Sequence, residues 1–185
     1  LVRVDSMAVT LSLAGCALAI YAGRSPRRLI LAAVILALAF FTKQTSLLFG
    51  AGLSLYLLIA LGRQAWLFMG VYAALVSGPL IIINALTGGW FIYHTFTIAA
   101  SDPIEGGRII NYLRFELFGS MLILSAMLIG VAGVSWHRSK LLALRDRPWL
   151  IPIGAAAIIS GAGRASAGGN VNNLMIVYAF LCLAP

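Results

Sequence analysis

The chain alternates apolar runs with short polar or basic breaks. Apolar segments cover residues 7–22, 29–41, 46–61, 65–86, 120–136, 149–160 and 174–184. A helix that spans a membrane needs about 20 mostly apolar residues, whereas runs of about 10 to 14 are typical of re-entrant or buried helices. The pattern predicts an all-α protein, a multi-pass transmembrane helix bundle built from these seven segments.

The composition indicates that the chain folds in a lipid bilayer and not in water. The 185 residues are 62% hydrophobic and 10% charged, whereas soluble domains carry about 25% charged residues. A soluble domain of 185 residues cannot bury so much apolar surface in its core. Cys16 and Cys182 both lie inside apolar runs without the spacing of a metal site, and they are predicted to be small buried hydrophobic residues.

The loops carry different charges on the two sides of the predicted bundle. If every segment crosses, one side receives eight basic residues and one acid, and the other receives five basic residues and four acids. The positive-inside rule makes the first side cytoplasmic. Its basic residues are Arg24, Arg27, Arg28, Arg63, Arg138, Lys140, Arg145 and Arg147. Orientation in the membrane therefore accounts for the net charge of +8, and nucleic acid is not expected as a partner.

The longest predicted outer segment, residues 87–119, has the pattern of a membrane–water interface. Aromatic residues follow a Gly-Gly break at Trp90, Phe91, Tyr93 and Phe96, which suits the headgroup region. Further along, apolar residues share one face of a helix at Ile109, Ile110, Leu113 and Leu117. This spacing predicts an outer interfacial helix that lies along the membrane before the next span.

Lys43 lies between two apolar runs on the predicted outer side. It can be a snorkelling lysine that marks a helix end, or a cation that holds an anionic ligand. Thr42, Gln44 and Thr45 add hydrogen-bond donors around it. Thr45 could also cap the following helix, whose N-terminus favours an anion. Spacing alone leaves both interpretations open.

Other outer polar residues are weaker candidates. Arg3 and Asp5 precede the first span, either as a helix start or as a fixed Arg–Asp unit on the rim. His94 lies among aromatic residues, where a structural role is common. Asp102 and Glu105 flank Pro103, and a solvated loop explains both of them.

A Gly-rich stretch, "SGAGRASAGGNVNN" at residues 160–173, separates the last two apolar runs. A turn with helix caps explains much of it, including Asn170, Asn172 and Asn173. It does not explain Arg164, a lone cation close to an apolar run. Ionisable residues near membrane depth are functional candidates by default.

Taken in order, several stretches resemble the GT-C glycosyltransferases, and among them the bacterial members of the dolichyl-phosphate-mannose–protein mannosyltransferase superfamily. These stretches are "RVDSMAVTLSLAGCALAIY", "LILAAVILALAFFTKQTSLL", "TGGWFIYHTFTIA" and "GRASAGGNVNNLMIVYAFLCLA". The similarity rests on an Arg-x-Asp before a span, a Thr-Lys helix end one hairpin later, and a late Gly-Arg segment. No single motif is specific, but their order covers nearly the whole chain.

The resemblance implies a transferase that uses a polyprenyl-phosphate-linked sugar on the outer face of a bacterial cytoplasmic membrane. The acceptor is a protein, a lipid or a polysaccharide. In this family a carboxylate in the first outer loop is the general base, and that loop would precede Leu1. The 185 residues are therefore expected to be a fragment of a single GT-C-type transmembrane domain, inactive alone and without a catalytic residue of its own.

The resemblance also assigns roles to residues of this chain. Lys43 and Arg164 match the cations expected at the donor phosphate. The residues predicted to line the site or support it are Arg3, Asp5, Gln44, His94 and Asn172. Asn173 and Ile176 depart from the family pattern, where a tyrosine and a polar residue or proline are usual. No cofactor is expected, and the need for a divalent metal stays open.

Two other classes of protein fit the same pattern. A transporter or flippase for an anionic, lipid-linked substrate would line its pathway with Lys43 and Arg164. A non-catalytic membrane subunit would tolerate replacement of both. Soluble-enzyme motifs such as GxSxG, HExxH or a Walker loop do not occur in the sequence.

Overall fold

Helices begin and end close to the polar breaks in the sequence. The computed structural model describes residues 4–98, 101, 103–117, 148–165 and 174–181. The regular elements in this part of the chain are all helices, which confirms the all-α prediction there. The chain divides into two compact units, Leu1–Asp102 and Pro103–Pro185.

The first unit contains four helices joined by short turns. They are α1 (Val4–Ile20), α2 (Pro26–Thr42), α3 (Leu47–Leu61) and α4 (Ala65–Leu86). These helices correspond to the first four apolar segments of the sequence. Because each connection is only a few residues long, consecutive helices run antiparallel.

Glycines set two of the helix boundaries in this unit. Gly62 ends α3 with φ 58° and ψ −123°, a region of backbone space that only glycine adopts without strain. Gly88 and Gly89 follow α4, and both have positive φ. Lys43 ends α2 differently, in an extended conformation with φ −152°.

Glycines also allow close packing between helices. The backbone of Gly15 in α1 lies against the side chain of Leu36 in α2. Gly50 in α3 lies against the ring of Tyr72 in α4, and that ring stacks on Phe68 with centroids 5.8 Å apart. Small residues at such contacts let helix backbones approach, as in membrane bundles.

Much of the surface of the first unit is apolar. Helix α4 buries Ala65, Phe68, Tyr72 and Val76, a single stripe at helical spacing. Large apolar side chains on its other faces are exposed, among them Ile81, Ile82 and Leu86. A helix in water would carry polar residues on those faces.

One helical run within the described residues, Gln44–Leu86, is long and apolar enough to cross a membrane. Only 11% of its most apolar window is buried, so it is unlike the core helix of a soluble protein. The turn at Gly62 divides it, and the 22 residues of α4 satisfy the length requirement alone. The other apolar helices, Asp5–Ile20 and Leu150–Gly163, are shorter. Seven separate spans are therefore not established.

The first unit also contains the short helical stretches Trp90–Ile92 and Tyr93–Ile98. The second unit contains three α-helices within the described residues. They are α5 (Gly106–Asn111), which continues as the π-helical stretch Tyr112–Leu117, α6 (Leu150–Ala165) and α7 (Leu174–Leu181). Ser160 Oγ accepts a 3.3 Å hydrogen bond from the backbone N–H of Val177, which joins α6 to α7.

The predicted interfacial segment is helical over residues 106–117, and its depth in a membrane stays a prediction. Its buried anchor is Tyr112, which lies over Gly161 and whose hydroxyl is 3.4 Å from the carbonyl oxygen of Ala157. Ile110 on the predicted apolar face is 63% exposed.

Some sequence predictions fall outside the described residues. The apolar segment at residues 120–136 lies outside them, as does Cys182. Cys16 is fully buried as an unpaired cysteine, as expected for a small hydrophobic residue.

Candidate functional site

An ion pair joins the start of α1 to the end of α2. Lys43 Nζ donates to Asp5 Oδ1 at 2.6 Å, and the two side chains are 22% and 28% exposed. The sequence left two interpretations of Asp5 open, a helix start and a fixed unit with Arg3. Asp5 does lie in the first turn of α1, whereas Arg3 lies outside the described residues. The structure also brings Asp5 to the lysine that the sequence singled out as a candidate anion ligand.

The two helices favour this pair electrostatically. Asp5 lies in the first turn of α1, where the unpaired backbone N–H groups carry partial positive charge. Lys43 directly follows the last residue of α2, and its backbone N–H donates to the carbonyl oxygen of Ala39. A cation is favourable there because the helix C-terminus carries partial negative charge. Each charge thus lies at the helix end that stabilises it.

The polar neighbours of Lys43 differ from the sequence prediction. Thr42 was expected to offer a donor, but its hydroxyl donates to the carbonyl oxygen of Leu38 within α2. Thr45 was expected to cap α3, and this prediction is wrong. A 3₁₀ turn at Gln44–Ser46 precedes α3, which places Ser46 at the N-cap without a side-chain cap bond.

Gln44 links the ion pair to the segment after α4. Its Nε2 lies 3.4 Å from the carbonyl oxygen of Thr95, 51 residues further along the chain. This contact brings residues 90–98, hereafter the aromatic segment, to the same end of the unit as Asp5 and Lys43. The carbonyl acceptor on Thr95 belongs to the backbone, so no side-chain pattern could have indicated it.

Two side chains at the end of α4 accept hydrogen bonds from the backbone of the aromatic segment. Asn84 Oδ1 accepts a 3.0 Å hydrogen bond from the backbone N–H of Ile92, and the hydroxyl of Thr87 accepts one from Phe91 at 3.1 Å. His94 is exposed and stacks on Trp90 with centroids 5.3 Å apart. The predicted site residue His94 is therefore part of an aromatic cluster that precedes Thr95 directly.

An apolar groove of about 330 Å³ lies between α2 and α4. Its lining is almost free of polar atoms and includes Val34, Phe41, Leu75, Pro79 and Ile83. Proline lacks the N–H that would bond to the preceding turn, so Pro79 loosens the α4 backbone at this wall. The groove extends along α2 to Phe41, two residues before Lys43. No sequence motif indicates the groove, because its lining residues are ordinary core types.

The opposite end of the first unit has a different charge. The turns between α1 and α2 and between α3 and α4 lie there, together with the first turn of α2. Their charged residues are Arg24, Arg27, Arg28 and Arg63. Charged residues within the described part of this unit therefore lie at helix ends, with a balanced pair at one end and cations alone at the other.

The structure describes some of the other residues discussed for the site and not others. Arg164 is the penultimate residue of α6, and its backbone lies in the second unit. Asn172 and Asn173 lie outside the described residues, whereas Ile176 is buried in α7. Within the described ranges, no group of three or more His, Cys, Asp or Glu residues could hold a metal ion.

Comparisons with known proteins leave the family open. No protein-family model matches the chain, and no curated protein or solved structure is significantly similar to it.

Proposed function

We propose that the chain is part of a membrane-embedded glycosyltransferase that uses a polyprenyl-phosphate-linked sugar. The observation that carries this proposal is the Asp5–Lys43 pair at the end of α2, together with an apolar groove whose lining on α2 continues to Phe41, two residues before Lys43. Lys43 Nζ and Asp5 Oδ1 are 2.6 Å apart, and the groove reaches Phe41. A ligand with an apolar tail and an anionic head matches both features.

The groove would take the first part of the isoprenoid tail. It is lined by apolar side chains from two helices, which suits a branched hydrocarbon. Burial of such a chain contributes about 0.8 kcal/mol per CH₂ group. The phosphate would then lie beyond Phe41, at the level of Lys43.

Lys43 would stabilise the phosphate while the sugar leaves it. An ammonium group has three N–H donors, so Lys43 can hold a phosphate oxygen while it keeps the contact to Asp5. Asp5 would orient the lysine and reduce the net charge of the empty site. Arg164 is proposed as a second phosphate ligand, because a guanidinium group binds phosphate through two parallel hydrogen bonds.

The surface of the first unit supports the proposed membrane placement. The four arginines at one end suit the cytoplasmic side, and the Asp5–Lys43 end then faces outward. An acceptor hydroxyl group from a protein, lipid or polysaccharide would approach from that side. The general base is expected from a preceding outer loop.

The test uses the complete protein that carries this chain, reconstituted in proteoliposomes with a panel of polyprenyl-phosphate sugars. Lys43→Ala and Arg164→Ala are compared with the parent, and the sugar released from the lipid is counted. Removal of a well-placed electrostatic ligand costs about 10²–10³ in rate, and each variant is expected to lose activity on that scale. Arg63→Ala, at the opposite end of the first unit, is the matched control and should release sugar at the parental rate.

The alternatives give different results in the same assay. A transporter or flippase would carry the intact lipid-linked sugar across the bilayer without releasing it. A non-catalytic subunit would neither release the sugar nor carry the lipid-linked sugar across the bilayer, with or without either substitution. Release by the parent that neither substitution lowers would contradict the phosphate-binding roles of Lys43 and Arg164.

A further inference from the structure

An exposed tryptophan lies near each end of helix α4. Trp66 is its second residue and is 63% exposed, and Trp90, four residues after its last residue, is 62% exposed. Between them α4 carries no charged residue. The 22 residues of the helix rise about 33 Å at 1.5 Å per residue, which matches the roughly 30 Å hydrocarbon thickness of a bilayer.

The side chains of α4 between the two tryptophans suit hydrocarbon. The exposed positions include Ala74, Ile81 and Ile82. The hydroxyl of Ser77, also exposed, donates to the carbonyl oxygen of Ala73 at 2.6 Å. Such a bond satisfies a polar group that would otherwise be costly in lipid.

Polar groups lie near each tryptophan. Arg63 lies three residues before Trp66. At the other end the aromatic segment begins with Trp90, and Gln44 joins it to the Asp5–Lys43 end of the unit through Thr95. Indole rings concentrate at the boundary between hydrocarbon and headgroups, because they have an apolar body and one N–H donor.

We propose that Trp66 and Trp90 lie in the two opposite headgroup layers of a phospholipid bilayer, so that α4 spans its hydrocarbon core alone. The partner of this surface is lipid, with the exposed side chains of α4 in contact with acyl chains. The Asp5–Lys43 pair then lies at the depth of the Trp90 layer. This inference concerns lipid contact and does not depend on glycosyl transfer.

Tryptophan quenching by brominated phosphatidylcholines tests the proposal. The full chain is reconstituted in vesicles whose lipids carry bromine near the glycerol end, in the middle or near the tip of the acyl chain. The quenching of each tryptophan is obtained by subtracting the fluorescence of the Trp66→Phe or Trp90→Phe variant from that of the parent in each lipid. For both residues, bromine near the glycerol end should quench about twofold more than bromine near the chain tip.

Two controls calibrate the depth scale. Ala74 is exposed near the middle of α4, so Ala74→Trp in a Trp66→Phe/Trp90→Phe background should show the reverse order. Trp149 is 5% exposed and packs against Phe180, so a Trp66→Phe/Trp90→Phe/Trp136→Phe variant, which retains Trp149 alone, should respond weakly to every lipid. The substitutions are conservative or on exposed faces, which favours retention of the fold.

Each other outcome overturns the proposal. Strongest quenching of Trp66 or Trp90 by bromine near the chain tip would place that end of α4 inside the hydrocarbon. Absence of quenching at Trp66, Trp90 and Ala74→Trp by any lipid would mean that protein, not lipid, covers α4. Either result leaves the sugar-release assay unaffected, so the two proposals fail independently.

Discussion

Lys43 Nζ lies 2.6 Å from Asp5 Oδ1, although 38 residues separate them along the chain. The contact ties the N-terminus of α1 to the C-terminus of α2 and offsets the charge of the lysine in the absence of a ligand. Any anion that uses Lys43 must therefore bind beside Asp5 or compete with it. The pair is both a structural link and the centre of the candidate site.

A double-mutant cycle separates these two roles. Asp5→Asn, Lys43→Met and the double variant are expected to show a coupling of about 1 kcal/mol, because both side chains are partly exposed and partly screened. Reversible unfolding in detergent micelles measures it. Coupling near zero would mean that the contact contributes no stability, and the pair would then matter for ligand binding alone.

Gly50→Ala should destabilise the first unit. A Cβ atom there would overlap the ring of Tyr72, and that ring cannot shift easily because it stacks on Phe68. Overpacking of this kind costs about 1–3 kcal/mol. Gly70→Ala is the matched control in α4, since nothing lies within 4 Å of its added Cβ.

The same unfolding measurement distinguishes overlap from a general glycine effect. Tyr72→Ala should remove the penalty of Gly50→Ala, so the double variant should be more stable than the sum of the two single losses predicts. Equal destabilisation by Gly50→Ala and Gly70→Ala would contradict the packing explanation.

Gly62→Ala tests a backbone effect without any packing. An added Cβ at Gly62 meets no atom within 4 Å, but φ 58° and ψ −123° lie in a region that other residues avoid. We expect a loss of about 1–3 kcal/mol in the free energy of unfolding. Gly62→Asn should lose a similar amount, because this ψ lies outside the left-handed helical region that asparagine tolerates. Rescue by asparagine would show that the turn relaxes to another conformation.

Asn84→Ala should loosen the aromatic segment. The substitution removes the acceptor for the backbone N–H of Ile92, and the loss of such a bond costs about 1 kcal/mol. Steady-state anisotropy of the Trp90 emission should fall. Asn84→Asp keeps the Oδ1 acceptor and should retain the anisotropy of the parent, whereas Ser77→Ala controls for a polar change elsewhere on α4. An unchanged anisotropy in Asn84→Ala would mean that the segment is held by its other contacts.

Helix boundaries were the most predictable part of the fold. Residues 65–86 were predicted as one segment and form α4 with the same limits, because a charge-free apolar run lies between two glycine-containing turns. Helix α1 begins at Val4, three residues before the apolar run, since Asp5 and Ser6 extend its first turn. Such local signals lie within the sequence of one element.

Contacts between elements were less predictable. The sequence placed Asp5 and Lys43 on the same side of the membrane, but their pairing depends on the register of α1 against α2. Packing of Gly15 against Leu36 contributes to that register, and it is a relation between two helices. The wrong prediction for Thr45 has a similar origin, because the 3₁₀ turn at Gln44–Ser46 moves the start of α3 by one residue.

The turn at Gly62 has a consequence for the way the protein is made. Without it, Gln44–Leu86 would leave the ribosome as a single apolar stretch too long for one crossing of a bilayer about 30 Å thick. Gly62 reverses the chain, and Arg63 beside it gives the turn a positive charge that favours the cytoplasmic side. In the proposed membrane placement, α3 and α4 would therefore enter the bilayer together as a helical hairpin, with the turn as the part that is never translocated.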